Sequence, residues 1–192
     1  MANNLGSLAK TILSSDALSA IAKQTNVSSD AVSEILSNAL PALLNGANQQ
    51  ATQKSTAEGF LEAIQSHGSN DTSNIGLFLK NVDIDDGAKI VKHLLGSNSD
   101  TLTKKVAKTS KSGIEAGDVA KVLAVAAPLI MSFLGKQAKG KKNENPLSAI
   151  TGLLGGNEIT NLASSLLGGN SKKDDGIDLG DVLNIAGKLL KK

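Results

Sequence analysis

The stretch from Val122 to Leu134 constrains this chain more than any other. It is apolar on every side of a helix, broken only by Pro128 and Ser132. A helix of that kind must be covered all round, so it belongs at the centre of a bundle. At thirteen residues the run is shorter than the ~18 needed to cross a bilayer, which predicts a core helix within Ala116 to Lys139.

The remaining apolar residues recur almost everywhere with a helical period, and no alternating β-branched hairpin pattern occurs, so the predicted class is all-α. Leu5, Leu8, Ala9, Ile12 and Leu13 form a short stripe, Asp16 opens a helix with Leu18, Ile21 and Ala22, and Ser28 is placed to cap the next. That helix carries Ala31, Val32, Ile35, Leu36, Ala39, Leu40 and Leu43 on one face, with a kink expected at Pro41. Asn45-Gly46 reads as its stop and Asn45 to Ser55 as a polar linker. Further helices are expected from Thr56 to His67-Gly68, from the Asp83, Asp85, Asp86 cluster to Gly96, and from an Asn98 or Ser99 cap through Leu102 and Val106. A short apolar piece holds Ile75, Leu77, Phe78, Leu79 and Val82.

Two units in this order look alike. Asp16 aligns with Asp100, Leu18 with Leu102, Val32 with Val119, Leu36 with Leu123, Ala39 with Ala126 and Pro41 with Pro128, with a three-residue drift assigned to the turn. The expected architecture is therefore a multihelical bundle with an internal duplication of a helix-turn-helix-like unit. After Lys139 the character changes: residues 143–192 hold eight glycines, and Leu153-Leu-Gly-Gly-Asn157 recurs as Leu166-Leu-Gly-Gly-Asn170. The expected division is a helical domain, 1–142, and a Gly/Leu-rich tail, 143–192, of short amphipathic helices at Pro146 to Leu154, Glu158 to Leu167 and Leu179 to Leu190.

Composition removes much chemistry. The chain has no Cys, Trp, Tyr or Arg and only two histidines, His67 and His93, which excludes disulfides, thiolate nucleophiles, Cys-type zinc sites and guanidinium clamps. The histidines are far apart in sequence and lack a Glu-x-x-His partner, and no Gly-x-Ser-x-Gly occurs. No catalytic, cofactor-binding or metal-binding residues are expected, and no small-molecule substrate is evident. The start, Met1-Ala-Asn-Asn-Leu-Gly-Ser-Leu, lacks the basic, apolar and small-residue segments of a secretory signal, so the expected location is cytoplasmic.

Several segments together resemble the YidB-like family, bacterial proteins that carry a domain of unknown function. They are Ile21-Ala-Lys-Gln-Thr-Asn-Val-Ser-Ser-Asp-Ala-Val-Ser-Glu-Ile-Leu36, Ala39-Leu-Pro-Ala-Leu43, Gly87-Ala-Lys-Ile-Val-Lys-His-Leu-Leu-Gly96 and Ala126-Ala-Pro-Leu-Ile-Met131, within residues 12–135. The resemblance implies a multihelical bacterial domain with an internal duplication and a Gly- and Leu-rich tail. It implies no activity.

Three motifs remain. Ala22-x-x-x-Asn26-Val-Ser-x-x-Ala31-Val-Ser-x-x-Leu36 has helix-turn-helix spacing, yet its second helix would present Ser28, Ser29, Asp30, Ser33, Glu34 and Ser37, with no cation to meet phosphates. Lysines concentrate instead in residues 104–142, nine against two acids, compared with six against ten before and five against six after. Lys104, Lys105, Lys108, Lys111, Lys136, Lys139, Lys141 and Lys142 form a candidate basic patch for a phosphate backbone, without aromatic residues for base stacking. Gly135-x-x-x-x-Gly140-Lys141-Lys142 lacks the Ser or Thr of a phosphate loop.

The tail stripe Leu179, Val182, Leu183, Ala186, Leu189 and Leu190, beside Lys188, Lys191 and Lys192, is the candidate association surface. The reading this supports is a non-enzymatic interaction or assembly protein that contacts itself or another protein through its tail. Nonspecific nucleic-acid binding through the lysine region ranks second, and a membrane surface last, because no bulky aromatic anchors the stripe.

Overall fold

The computed structural model describes residues 4–140 and 146–154. In chain order the helices are α1 (Asn4–Ile12), α2 (Ser15–Thr25), α3 (Ser29–Thr52), α4 (Ala57–His67), α5 (Ile75–Lys80), α6 (Ile84–Leu95), α7 (Ser99–Thr109), α8 (Ala116–Gly140) and α9 (Pro146–Leu154). Among the described residues there is no strand, so the fold is all-α and multihelical.

Short polar side chains start several of these helices by taking up N–H groups that the first turn leaves unpaired. Ser14 Oγ accepts from Ala17 N–H and Ser28 Oγ from Ala31 N–H, both at 3.3 Å, opening α2 and α3. The Asp83 carboxylate accepts from the N–H groups of Asp85 (2.9 Å) and Asp86 (3.3 Å), opening α6. At the other ends Asn26 (φ 60°) closes α2 and Gly96 (φ 55°) closes α6 in the left-handed half of backbone space.

The core forms around α8, which packs against each of the other eight α-helices described. Every residue from Val122 to Ser132 is buried, so the all-round apolar stretch is covered on all sides. At 25 residues α8 as a whole is long enough to span a bilayer, and length alone does not decide its role. Burial does: 72% of its most apolar 18-residue window lies inside the protein.

Helices approach α8 closely where glycines permit it. A Cβ on Gly87 of α6 would stand 2.7 Å from the Ala124 carbonyl carbon of α8. One on Gly135 of α8 would stand 2.7 Å from the nitrogen of Gly68, at the end of α4, and one on Gly68 would stand 2.7 Å from the Gly135 carbonyl carbon. These are backbone-to-backbone contacts that no side-chain rotation can relieve. Pro128 adds a reason for the first: it has no N–H for the Ala124 carbonyl, and Gly87 packs on that carbonyl. A glycine Cα–H there is a weak donor to an oxygen that lacks its helical partner.

The structure corrects three expectations. Asn45-Gly46 is not a stop and Asn45 to Ser55 is not a linker, because α3 continues through Pro41 to Thr52. Both residues are buried, and a Cβ on Gly46 would stand 2.9 Å from the Leu94 carbonyl carbon of α6, so the glycine serves a helix crossing. Neither Asn98 nor Ser99 caps α7 with its side chain; a 3-10 turn, Gly96–Asn98, leads directly into it. Lastly, Ser33, Glu34 and Ser37 of α3 are half-buried, whereas Ser28, Ser29 and Asp30 are exposed as expected.

The two aligned units are each an 11-residue helix followed by a long, proline-bearing one of 24 or 25 residues. The turns differ, 26–28 in one and 110–115 in the other, and Val32, Val119, Leu36, Leu123, Ala39 and Ala126 are all buried. Helix α9, at the start of the Gly/Leu-rich segment, packs on α3 and α8 and buries Ile150 and Leu154 completely. The expected helices at 158–167 and 179–190 lie outside the described residues.

Candidate functional site

The loop after α4, the short α5 and the first turn of α6 surround an open cleft of about 400 Å³, with Pro128 of α8 at its wall. Its polar side is fixed by local hydrogen bonds. Asn70 Nδ2 donates to Ser132 Oγ (3.2 Å), which donates to the Pro128 carbonyl (2.8 Å), tying the loop to the central helix. Asn74 Oδ1 accepts from Leu77 N–H at 2.9 Å and so caps α5. Asp71 accepts from Ser73 N–H at 2.9 Å, and the Ser73 hydroxyl and N–H, with the Lys136 charge adding to them, hold its carboxyl below the usual range. Asp83 and Asp86 complete an acidic rim, the first as the cap of α6.

The apolar side is formed by Leu77, Phe78 and Val82. Phe78 and Val82 are half-buried, but Leu77 is 57% exposed, the only large hydrophobic residue so exposed among those described. In α5, Leu79 points into the core while Leu77, two residues earlier, stands in the cleft. His67 also lines the cleft, with Nδ1 3.4 Å from Asn70 Nδ2. Asn74 and Asp83 are spent on capping α5 and α6 and Asp71 on the turn at Ser73, and among the described residues no group of three His, Asp or Glu is arranged to hold a metal ion.

The candidate basic patch divides. Lys104 and Lys108 are exposed on α7, Lys105 is half-buried beside them, and Lys111 follows in the turn before α8. Lys136 and Lys139 stand at the far end of α8, where Lys136 Nζ donates to Thr72 Oγ1 and Lys139 Nζ to Ser69 Oγ (2.8 Å). Lys136 is 20 residues beyond the start of α8, about 30 Å along a helix axis, so these are two groups rather than one surface. Lys141, Lys142 and the association stripe Leu179, Val182, Leu183, Ala186, Leu189 and Leu190 lie outside the described residues.

The helix-turn-helix element is built into the bundle. Thirteen of the 24 residues of α3 are buried, and Glu34 is engaged by the turn before α8. Its carboxylate accepts from Ser110 Oγ (3.0 Å), Lys111 N–H (2.9 Å) and Ser112 Oγ (3.0 Å). Partial burial opposes ionisation of Glu34, yet the Lys111 N–H, the two serine hydroxyls and the Lys111 charge together lower its pKa. His93 is exposed on α6, and its carbonyl accepts from Gln50 Nε2 at 2.9 Å. Gly135 of the near phosphate-loop pattern is a packing residue against α4.

Sequence reasoning did not single out the cleft. Its signal was the apolar Ile75–Lys80 segment between Asn- and Asp-rich flanks, but a six-residue helix is too short for periodicity to say which leucine faces out. No curated protein and no solved structure matches the chain. A family model described as a bacterial protein of unknown function, DUF937, matches residues 8–137, which contain all four segments that carry the YidB-like resemblance. By that match the chain belongs to the bacterial DUF937 family, consistent with the YidB-like resemblance.

Proposed function

We propose that this chain is a non-enzymatic bacterial interaction or assembly protein, acting in the cytoplasm through helical surfaces and its apolar tail, in contact with a second copy of itself or another protein. One observation carries the proposal. The stripe Leu179, Val182, Leu183, Ala186, Leu189 and Leu190 follows a domain whose central helix already packs against eight others from within residues 4–154, so the stripe is not needed to cover that core. An apolar helical face of this length finds cover on another surface.

Truncation after Leu154 tests the proposal, because it keeps the buried Ile150 and Leu154 of α9. Light scattering should give a mass above the monomer for the full chain and the monomer mass for the truncated one. Equal masses, with no partner protein released by the truncation, refute it.

A second reading, nonspecific nucleic-acid binding, draws on the exposure of Lys104, Lys108 and Lys111 at spacings of four and three residues. It predicts duplex binding that weakens steeply with salt. Charge reversal at Lys104 and Lys108, or at Lys141 and Lys142, that leaves affinity unchanged rules it out.

A further inference from the structure

The cleft beside α5 combines features that a closed domain surface does not need. Leu77 is exposed in it, next to the half-buried Phe78 and Val82, and the exposed Asp71, Asp83 and Asp86 stand around them. The surface is thus apolar at its floor and negative at its rim. At about 400 Å³ it falls within the ~300–1,000 Å³ of cavities that take apolar groups of side-chain or ligand size. Asp71 remains ionised at neutral pH, since the Ser73 hydroxyl, its N–H and Lys136 favour the charged form.

The segment Leu179–Lys192 has the opposite character. Its apolar residues are spaced three and four apart, the anchor pattern of a helix laid into a groove, and it carries Lys188, Lys191 and Lys192 against the single acid Asp181. We infer that the cleft is the receiving surface for this segment from a second copy of the chain, the leucines meeting Leu77, Phe78 and Val82 and the lysines meeting the Asp rim. The inference rests on the self-association reading above and adds the surface on which that association occurs.

Reach permits it. The 24 residues between Leu154 and Leu179 have a contour of at most about 80 Å, more than the ~30 Å width of a domain of this size. Each of two copies can therefore place its segment in the other's cleft, and reciprocal exchange closes a two-fold dimer in which both stripes are covered. Opposite charge across the rim adds selectivity and a dependence on ionic strength.

The test uses the full chain and two full-length variants, Leu77→Asp in the cleft and the double variant Leu183→Asp, Leu190→Asp in the tail, compared by light scattering and sedimentation. Leu77 is exposed, so its substitution should leave the far-ultraviolet circular dichroism unchanged; Asp86→Lys, also exposed, serves as a second cleft variant. The full chain should dimerise, and each leucine variant should weaken the dimer by about tenfold or more. Mixing cleft and tail variants should restore a heterodimer through the one intact contact. Three results overturn the inference in different ways. A dimer unaffected by Leu77→Asp and Asp86→Lys removes the cleft while leaving the proposed function standing. A monomeric full chain in which Leu77→Asp exposes residues 179–192 to protease shows the segment seated in its own cleft. A full chain that is monomeric with neither variant changing anything refutes the inference and the self-association reading together.

Discussion

Replacing Gly87 by alanine should destabilise the domain, although the same change in an exposed helix stabilises. The added Cβ would meet the Ala124 carbonyl carbon at 2.7 Å, where carbon atoms pack at about 3.5–4.0 Å. Both atoms belong to helix backbones, so α6 must move off α8 by roughly 1 Å. A gap of that size forfeits about a quarter to a half of the contact energy across it. Val91, Leu94 and Leu95 are the apolar residues α6 buries, each worth about 1.5–3 kcal/mol when covered, which places the loss at roughly 1–4 kcal/mol. Helix propensity returns about 1 kcal/mol, leaving a net cost of up to ~3 kcal/mol. Gly59→Ala is the internal control, because nothing lies within 4 Å of its Cβ position in α4 and the propensity gain of about 1 kcal/mol should appear alone. Urea unfolding followed by far-ultraviolet circular dichroism measures both, the chain having no Trp or Tyr to report by fluorescence. A Gly87→Ala protein as stable as Gly59→Ala would refute the close-crossing argument.

Other consequences are as direct. Glu34→Gln should cost about 1 kcal/mol at pH 7, since it weakens three bonds to the turn before α8 at a partly exposed site. Because folding lowers the Glu34 pKa, the carboxylate's contribution is present above its ordinary value of 4.5 and is lost as pH falls through the folded one; the gap between wild type and variant in denaturation midpoints should shrink as the solution is acidified below that ordinary value. Ile150→Ala should lower stability by about 2–4 kcal/mol if α9 belongs to the core, and an unchanged midpoint would detach α9 from it. Gly96→Ala, at φ 55°, should cost about 1 kcal/mol despite open space around it, which a thermal melt would register as a fall of a few degrees.

The features that were legible in the sequence are those decided within a few residues. Ser28 and Asp83 announce helix starts because a cap acts on N–H groups two or three positions away. Val122 to Leu134 announces the centre because its apolar residues leave no side for water. Asn45-Gly46 misled for the complementary reason: its local chemistry is that of a stop, and only the passage of Leu94 against Gly46 makes a continuous α3 the better solution. Glu34 has the same history, an outward charge by helical period that the turn at 110–112 covers. Among the described lysines of the candidate patch, Lys104, Lys105, Lys108 and Lys111 precede α8 while Lys136 and Lys139 stand at its far end, a separation that closeness in sequence does not reveal.

Sequence by itself determined the helical class, most helix starts, the identity of the central helix and the scarcity of catalytic side chains, because these follow from composition and from interactions within one or two turns. Only the tertiary structure decided that Gly87, Gly68, Gly135 and Gly46 are crossing points, that α9 belongs to the packed body, and that Leu77 stands in an acid-rimmed cleft. Each of those depends on which backbone passes a given residue from far along the chain, and no local pattern carries that information.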